Sequence, residues 1–210
     1  MNHICTEYCS EENKTQLTYV RHDYLAGIHG QMHFKSAVCD HWTNLAQTSD
    51  IVMISSAAHI HELLNFPNET KAKPDINYTK YIDASAAVVA NRLKTLKMKP
   101  NTVLVYMTAS AGIENFTSDC SLKPEDVPLP YDTMFSWDKV PYMQATYVRA
   151  IRQAMMEINQ PFLVLDMQHL MQMRRGCRGD FVHGNSQVKE SSYFTTWQVL
   201  YNLLVEYNSA

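Results

Sequence analysis

Four short runs rich in β-branched, aromatic or apolar residues divide this chain, and longer stretches with helical spacing separate them. The runs are LTYVRH from Leu17, IVMIS from Ile51, TVLVYMT from Thr102 and FLVLDM from Phe162. The last three follow turn-forming residues: Thr48-Ser49-Asp50, Pro100-Asn101 and Gln160-Pro161. Short segments that are apolar on successive residues fit strands buried on both faces, because side chains alternate across a sheet and both sets must leave water. The intervening stretches predict helices over 82–98, 137–158 and 191–207. The first carries Ala86, Val89, Ala90, Leu93 and Leu96 on one stripe, with Asp83 suited to the first turn. The second repeats Tyr147, Ile151 and Met155 every four residues, and Ser136 is a candidate N-cap. The third aligns Phe194, Trp197, Leu200, Tyr201 and Leu204, a stripe expected to pack into the core.

Strands that alternate with helices imply a parallel sheet with helices on both faces, a three-layer α/β/α arrangement. Such sheets hold their ligands beyond the carboxyl ends of the strands, so chemistry is sought just after each run. The segments 66–78 and 112–136 read as irregular, the second as a functional or covering loop with three prolines. Residues 1–16 read as a polar N-terminal segment and 17–210 as a single domain.

Composition excludes several classes. Hydrophobic residues are 46% and charged residues 19%, which supports a packed core. A formal net charge of −3 with no basic stripe argues against nucleic acid as the main partner. No apolar stretch is long enough for a membrane span, and the start MNHICTEYCSEENKT lacks the apolar region of a signal peptide. Four glycosylation sequons, at Asn13, Asn68, Asn77 and Asn115, point instead to the secretory pathway, Golgi lumen or extracellular space. The two indications agree if the chain is the downstream part of a longer protein. The five cysteines, Cys5, Cys9, Cys39, Cys120 and Cys177, match no zinc framework, and fit one or two disulfides with a free thiol, or reduced thiols.

The residues best suited to chemistry follow the last run. Asp180 and His183 lie three apart in DFVH, after the polar turn MRRGCRG. A carboxylate that accepts the Nδ1–H of a histidine fixes its tautomer and leaves the other nitrogen to take a proton from a nucleophile. His59 and His61, with Glu62 beside them, have the spacing of two imidazoles on one side of an extended segment, but no third metal ligand is indicated, so no metal and no cofactor are expected. His59 reads better as a substrate-facing or capping residue. Arg21-His22-Asp23 is a further candidate for the cleft.

LVLDM, MRRGCRG, DFVHG and TTWQVLYNLL resemble, in that order, the closing block of the SGNH (GDSL-like) hydrolase superfamily, in its PC-esterase branch with the trichome-birefringence-like O-acetyltransferases. Other segments agree in order. QLTYVRHDYL resembles the family's second strand and its exit. SDIVMISSAAHIHE resembles the block D-I-V-hydrophobic-x-N-x-G-x-H, TVLVYMTASAGIENFTSDC the block R-T-x-x-x-G-H-x-x-C, and FSWDKVPYMQATYVRAI the W-x-x-x-P-x-x-N helix. The resemblance spans about Leu17 to Leu204. It implies an SGNH or flavodoxin-like fold and a Ser-His-Asp mechanism on glycan O-acetyl or other acyl esters. His183 and Asp180 would be the catalytic pair, and Ser55, Ala57, His59, Gly112 and Arg174 the oxyanion or substrate-binding set. Cys177 is then a candidate disulfide partner for Cys120, which stands where the family often has a loop cysteine.

The departures are as informative. No Gly-Asp-Ser block is present, so the expected nucleophile and the first strand that precedes it are missing from the pattern, and Ser10 lacks that context. Ser55 and Ala57 replace the asparagine and glycine that serve the oxyanion, Met107 replaces an arginine, and Met143 replaces the helix asparagine. Loss of one oxyanion donor costs about 2.7–4 kcal/mol of transition-state stabilisation. The expectation is an enzyme that is weakly active or inactive as this chain alone, with a non-catalytic glycan- or ligand-binding domain as the alternative.

Overall fold

The computed structural model describes residues 5–10, 15–20, 41–55, 78–108, 140–167, 197–202 and 204–206. Their elements, in chain order, are β1 (Cys5–Ser10), β2 (Thr15–Val20), α1 (His41–Thr48), β3 (Ile51–Ser55), α2 (Tyr78–Thr95), β4 (Val103–Met107), α3 (Val140–Glu157) and β5 (Phe162–Leu165). Residues 197–202 and 204–206 are also helical. The protein is an α/β fold, built on a parallel sheet of order β3-β4-β5.

Register gives the sheet its two faces. Val52 pairs with Leu104 and Ile54 with Tyr106, while Ile51 pairs with Val103 and Met53 with Val105. Leu104 and Tyr106 belong to the larger core, with Ala46 of α1, Ile82, Ala86, Val89 and Leu93 of α2, and Met143, Tyr147, Ile151 and Met155 of α3. Val103, Val105 and Leu165 form a second, smaller core with Leu200. Helices thus cover both faces, and the expected three layers are present. The stripe from Ala86 to Leu96 and the trio Tyr147, Ile151 and Met155 are buried, as helical spacing predicts.

The helices α2 and α3 run side by side in the same direction, because successive cross-links advance along both. Tyr142 Oη donates to Asp83 Oδ1 at 3.2 Å, Ser85 and Tyr147 share a hydrogen bond between their hydroxyls, and Lys94 Nζ donates to Glu157 Oε2 at 2.8 Å. The helix α3 ends in a left-handed residue, Asn159, at φ 52°. The N–H of Gln160 reaches the carbonyl of Met155 at 2.9 Å, and that of Asn159 reaches Met156 at 3.2 Å. This pair of bonds is the Schellman closure, and asparagine tolerates its left-handed position better than most residues.

Three sequence expectations are corrected. The helix α2 begins at Tyr78, so Asp83 lies beyond the first turn and serves as an acceptor for Tyr142 rather than a partner of the helix dipole. The helix α1 was not foreseen, since HWTNLAQT spans only eight residues and gives a short pattern to read. Trp197 and Tyr201 are 55% and 64% exposed, whereas Leu200 of the same stripe is buried. The helix touches the sheet along a narrower arc than its apolar residues cover.

The strand expected at Leu17 is β2, and it pairs antiparallel with β1, Cys5 opposite Val20 and Ser10 opposite Thr15. The run read as a family-like second strand is therefore half of a two-stranded sheet separate from the parallel one, and the segment read as polar contains β1. Cys5 and Cys9 stand four residues apart on that strand. Their Cα atoms are then about 13 Å apart, beyond the roughly 7 Å limit for a disulfide, so the two cannot bridge each other. Among the described residues, no helix is long and apolar enough to cross a membrane.

Candidate functional site

Parallel strands all point their carboxyl ends the same way, so β3, β4 and β5 finish together at one edge of the sheet. Ser55 ends β3 opposite Met107 of β4, and Met107 lies opposite Leu165 of β5. Two links fasten the exits of β4 and β5. The N–H of Thr108 donates to the carbonyl of Leu165 at 3.0 Å, and Thr108 Oγ1 donates to Asp166 Oδ1 at 2.9 Å. Thr108 is buried and Asp166 is exposed. The two bonds together fix where the two following segments begin.

The opposite edge is stitched by different means. Thr102 Oγ1 donates to the carbonyl of Ser49 at 2.7 Å, Gln160 Nε2 to the carbonyl of Lys99 at 3.1 Å, and Lys99 pairs with Asp50 at 2.8 Å. These bonds join three turns and involve mostly backbone carbonyls, so that edge is built for closure. The exposed Lys99–Asp50 pair adds little to it.

Of the residues singled out in sequence, the structure describes Ser55 at the carboxyl edge, half-buried. Ala57, His59, Gly112, Arg174, Asp180 and His183 lie outside the described residues, as do His61, Arg21-His22-Asp23, Arg175, Ser136, Cys39, Cys120 and Cys177. Topology still places their points of departure. The segment with Ala57 and His59 leaves from the end of β3, that with Gly112 from the end of β4, and that with Arg174, Asp180 and His183 follows β5.

Two further positions singled out in the sequence, Met107 and Met143, are described. Met143 is fully buried in the larger core, and Met107 packs half-buried against the smaller one. Both have apolar surroundings that suit methionine and would penalise an unpaired polar group. Ser10, the early serine, ends β1 in the antiparallel pair.

Sequence reading missed the polar group within the larger core. Tyr106 Oη donates to Gln144 Oε1 at 2.9 Å, and the Tyr106 and Tyr147 rings stack with centroids 6.4 Å apart. Burial, reinforced by Tyr147, raises the Tyr106 phenol well above the usual range. This group lies beneath the helices rather than at the rim, and the Tyr106 hydroxyl remains neutral at ordinary pH. A tyrosine in the middle of an apolar strand, TVLVYMT, was the available signal, since a buried phenol needs a partner.

Compared with known proteins, the chain matches no family model, no curated protein and no solved structure.

Proposed function

We propose that the protein is an acyl-ester enzyme, or a derivative of one, that resembles the SGNH esterases and O-acetyltransferases and acts on glycan ester groups. One observation carries this reading. The order β3-β4-β5 brings the exits of the three blocks that resemble the family to a single sheet edge, which is where ligands bind in open α/β sheets. In this reading His183 takes the proton of the attacking group, Asp180 orients its imidazole, and Ser55 with the backbone near Ala57 and Gly112 faces the oxyanion. Arg174 meets the substrate, and neither cofactor nor metal takes part. The four sequons support a site of action in the secretory pathway.

A second reading, a glycan- or ligand-binding domain without turnover, draws on two facts. Ser10 lies in the separate antiparallel pair, away from the parallel strands' order, and Ser55 offers a shorter donor than the family's asparagine.

Hydrolysis of p-nitrophenyl acetate by the purified chain separates the two. Turnover that falls about 10²-fold or more in His183→Ala, with a parallel loss in Asp180→Asn, supports the enzyme. A rate at the buffer background, or one indifferent to His183→Ala, refutes catalysis by this chain. Retained binding of an acetylated oligosaccharide would then favour the second reading.

A further inference from the structure

The carboxyl edge of the sheet holds a cross-link that the proposed chemistry does not use. Thr108 follows the last residue of β4, and Asp166 follows the last residue of β5. The Thr108 N–H carries the strand ladder one step further, to the carbonyl of Leu165 at 3.0 Å, and Thr108 Oγ1 donates to Asp166 Oδ1 at 2.9 Å. Thr108 is buried and Asp166 is exposed, so packing fixes the donor and the carboxylate takes its orientation from it. Asp166 is also where the chain turns, since the next residue, Met167, is already helical. The strand that this bond closes is short. β5 has four residues, pairs with β4 alone among the described strands, and is half-buried from Phe162 to Val164. The ends of such strands open at little cost in free energy, and a side-chain bond one residue past the last pair holds this end shut.

We propose that Thr108 and Asp166 are positioning residues of the site. Their bond sets the direction in which the segment with Asp180 and His183 leaves β5, relative to the segment with Gly112 that leaves β4. The catalytic consequence rests on the acyl-ester reading; the bond itself does not. In that reading the two segments supply opposite halves of the chemistry: one the base and its orienting carboxylate, the other part of the backbone that faces the oxyanion. A misplacement of about 1 Å between reacting groups can cost on the order of 10²-fold in rate, so a bond remote from the chemistry has leverage on kcat.

The test uses the full chain. Thr108→Val removes the donor and keeps the branched shape, and Thr108→Ser keeps the donor. Asp166→Ala removes the acceptor at an exposed position, and Lys99→Ala opens the Lys99–Asp50 pair at the opposite edge as a control. Turnover of p-nitrophenyl acetate per folded protein gives kcat and KM. The imidazole proton signal of His183 in NMR, identified by its loss in His183→Ala, reports the geometry without turnover. The expected result is a fall in kcat of roughly tenfold or more in Thr108→Val and Asp166→Ala, with KM within about twofold of the parent. Thr108→Ser and Lys99→Ala should keep the parent values. The His183 signal should move in the first two variants and stay in place in the other two. If Thr108→Val does not fold, Asp166→Ala decides. If the parent shows no turnover, the acyl-ester reading falls, and the His183 signal alone decides whether the bond positions that segment. An unmoved His183 signal in Asp166→Ala, an unchanged kcat in an active parent, or a loss in Thr108→Ser or Lys99→Ala equal to that in Thr108→Val would each overturn the proposal.

Discussion

The two faces of the parallel sheet begin from the same strands and end differently. On one, Val52, Ile54, Leu104 and Tyr106 lie under α1, α2 and α3, and all are buried. On the other, Val103, Val105 and Leu165 are buried beneath Leu200, yet Ile51 and Met53 remain 45% and 38% exposed. Strand composition does not account for the contrast, because IVMIS is apolar on both of its faces. The connections do. The crossovers β3-α2-β4 and β4-α3-β5 both deliver their helices to the first face, and α1 adds Ala46 there. Among the described residues, the second face has the helical residues 197–202 and 204–206, centred over β4 and β5. An apolar strand states that it can be buried on both sides; the route of the chain decides which side is.

The largest effect should come from the closed face. Ile151 is fully buried between α3 and the sheet, and Ile151→Ala is expected to cost about 2–5 kcal/mol by loss of contact and a residual cavity. Trp197→Ala, a larger truncation but on the open face, should cost under about 1 kcal/mol. Urea unfolding of both variants measures the difference, and similar losses would mean that the two faces are closed alike.

Tyr106 probes the polar group inside the closed face. Removal of its hydroxyl in Tyr106→Phe ends the bond to Gln144 and should cost about 1 kcal/mol near neutral pH. The pH dependence has a definite sign. The folded phenol titrates above its unfolded value of about 10, with burial as the main cause. Its contribution is thus fully present below about pH 10 and is lost as the pH rises above that value, because the unfolded chain alone ionises readily. Stability measured from pH 8 to 11 should decline less steeply in Tyr106→Phe than in the parent. Identical slopes would show that Tyr106 reaches solvent.

How far these features were legible depends on the kind of signal. The strand β3 was read to its exact ends, and β4 and β5 to within two residues, because turn-forming residues precede each and apolar runs are short. The stripes on α2 and α3 were legible because a helix that packs on a sheet repeats its apolar side every three to four residues. Pairing was not legible for β2: LTYVRH reads equally as a central or a hairpin strand, and only register with β1 distinguishes them. Exposure of Trp197 and Tyr201 was hidden for a related reason, since periodicity marks an apolar arc without saying how much of it a neighbour covers. At the site, the sheet edge was legible from the alternation of strands with helices, whereas the link that Thr108 makes across it was not. That bond to Asp166 joins residues 58 apart in sequence and has no local signature.

The smallest expected effect tests the contrast within a single strand, where neighbours differ only in the face they join. Val52 is buried on the closed face and Ile51 is half-exposed on the open one. Threonine keeps the β-branched shape that strands favour, so Val52→Thr isolates the placement of a hydroxyl in an apolar core, and should cost about 1–3 kcal/mol. In Ile51→Thr the hydroxyl meets water, and the change should stay within about 0.5 kcal/mol, the range of ordinary surface substitutions. Met53→Thr should behave like Ile51→Thr, since the two residues lie on the same side of β3. A loss at Ile51 equal to that at Val52 would mean that another part of the protein covers the open face over β3, and the contrast between the faces would then be one of helices against some other covering rather than of closed against open.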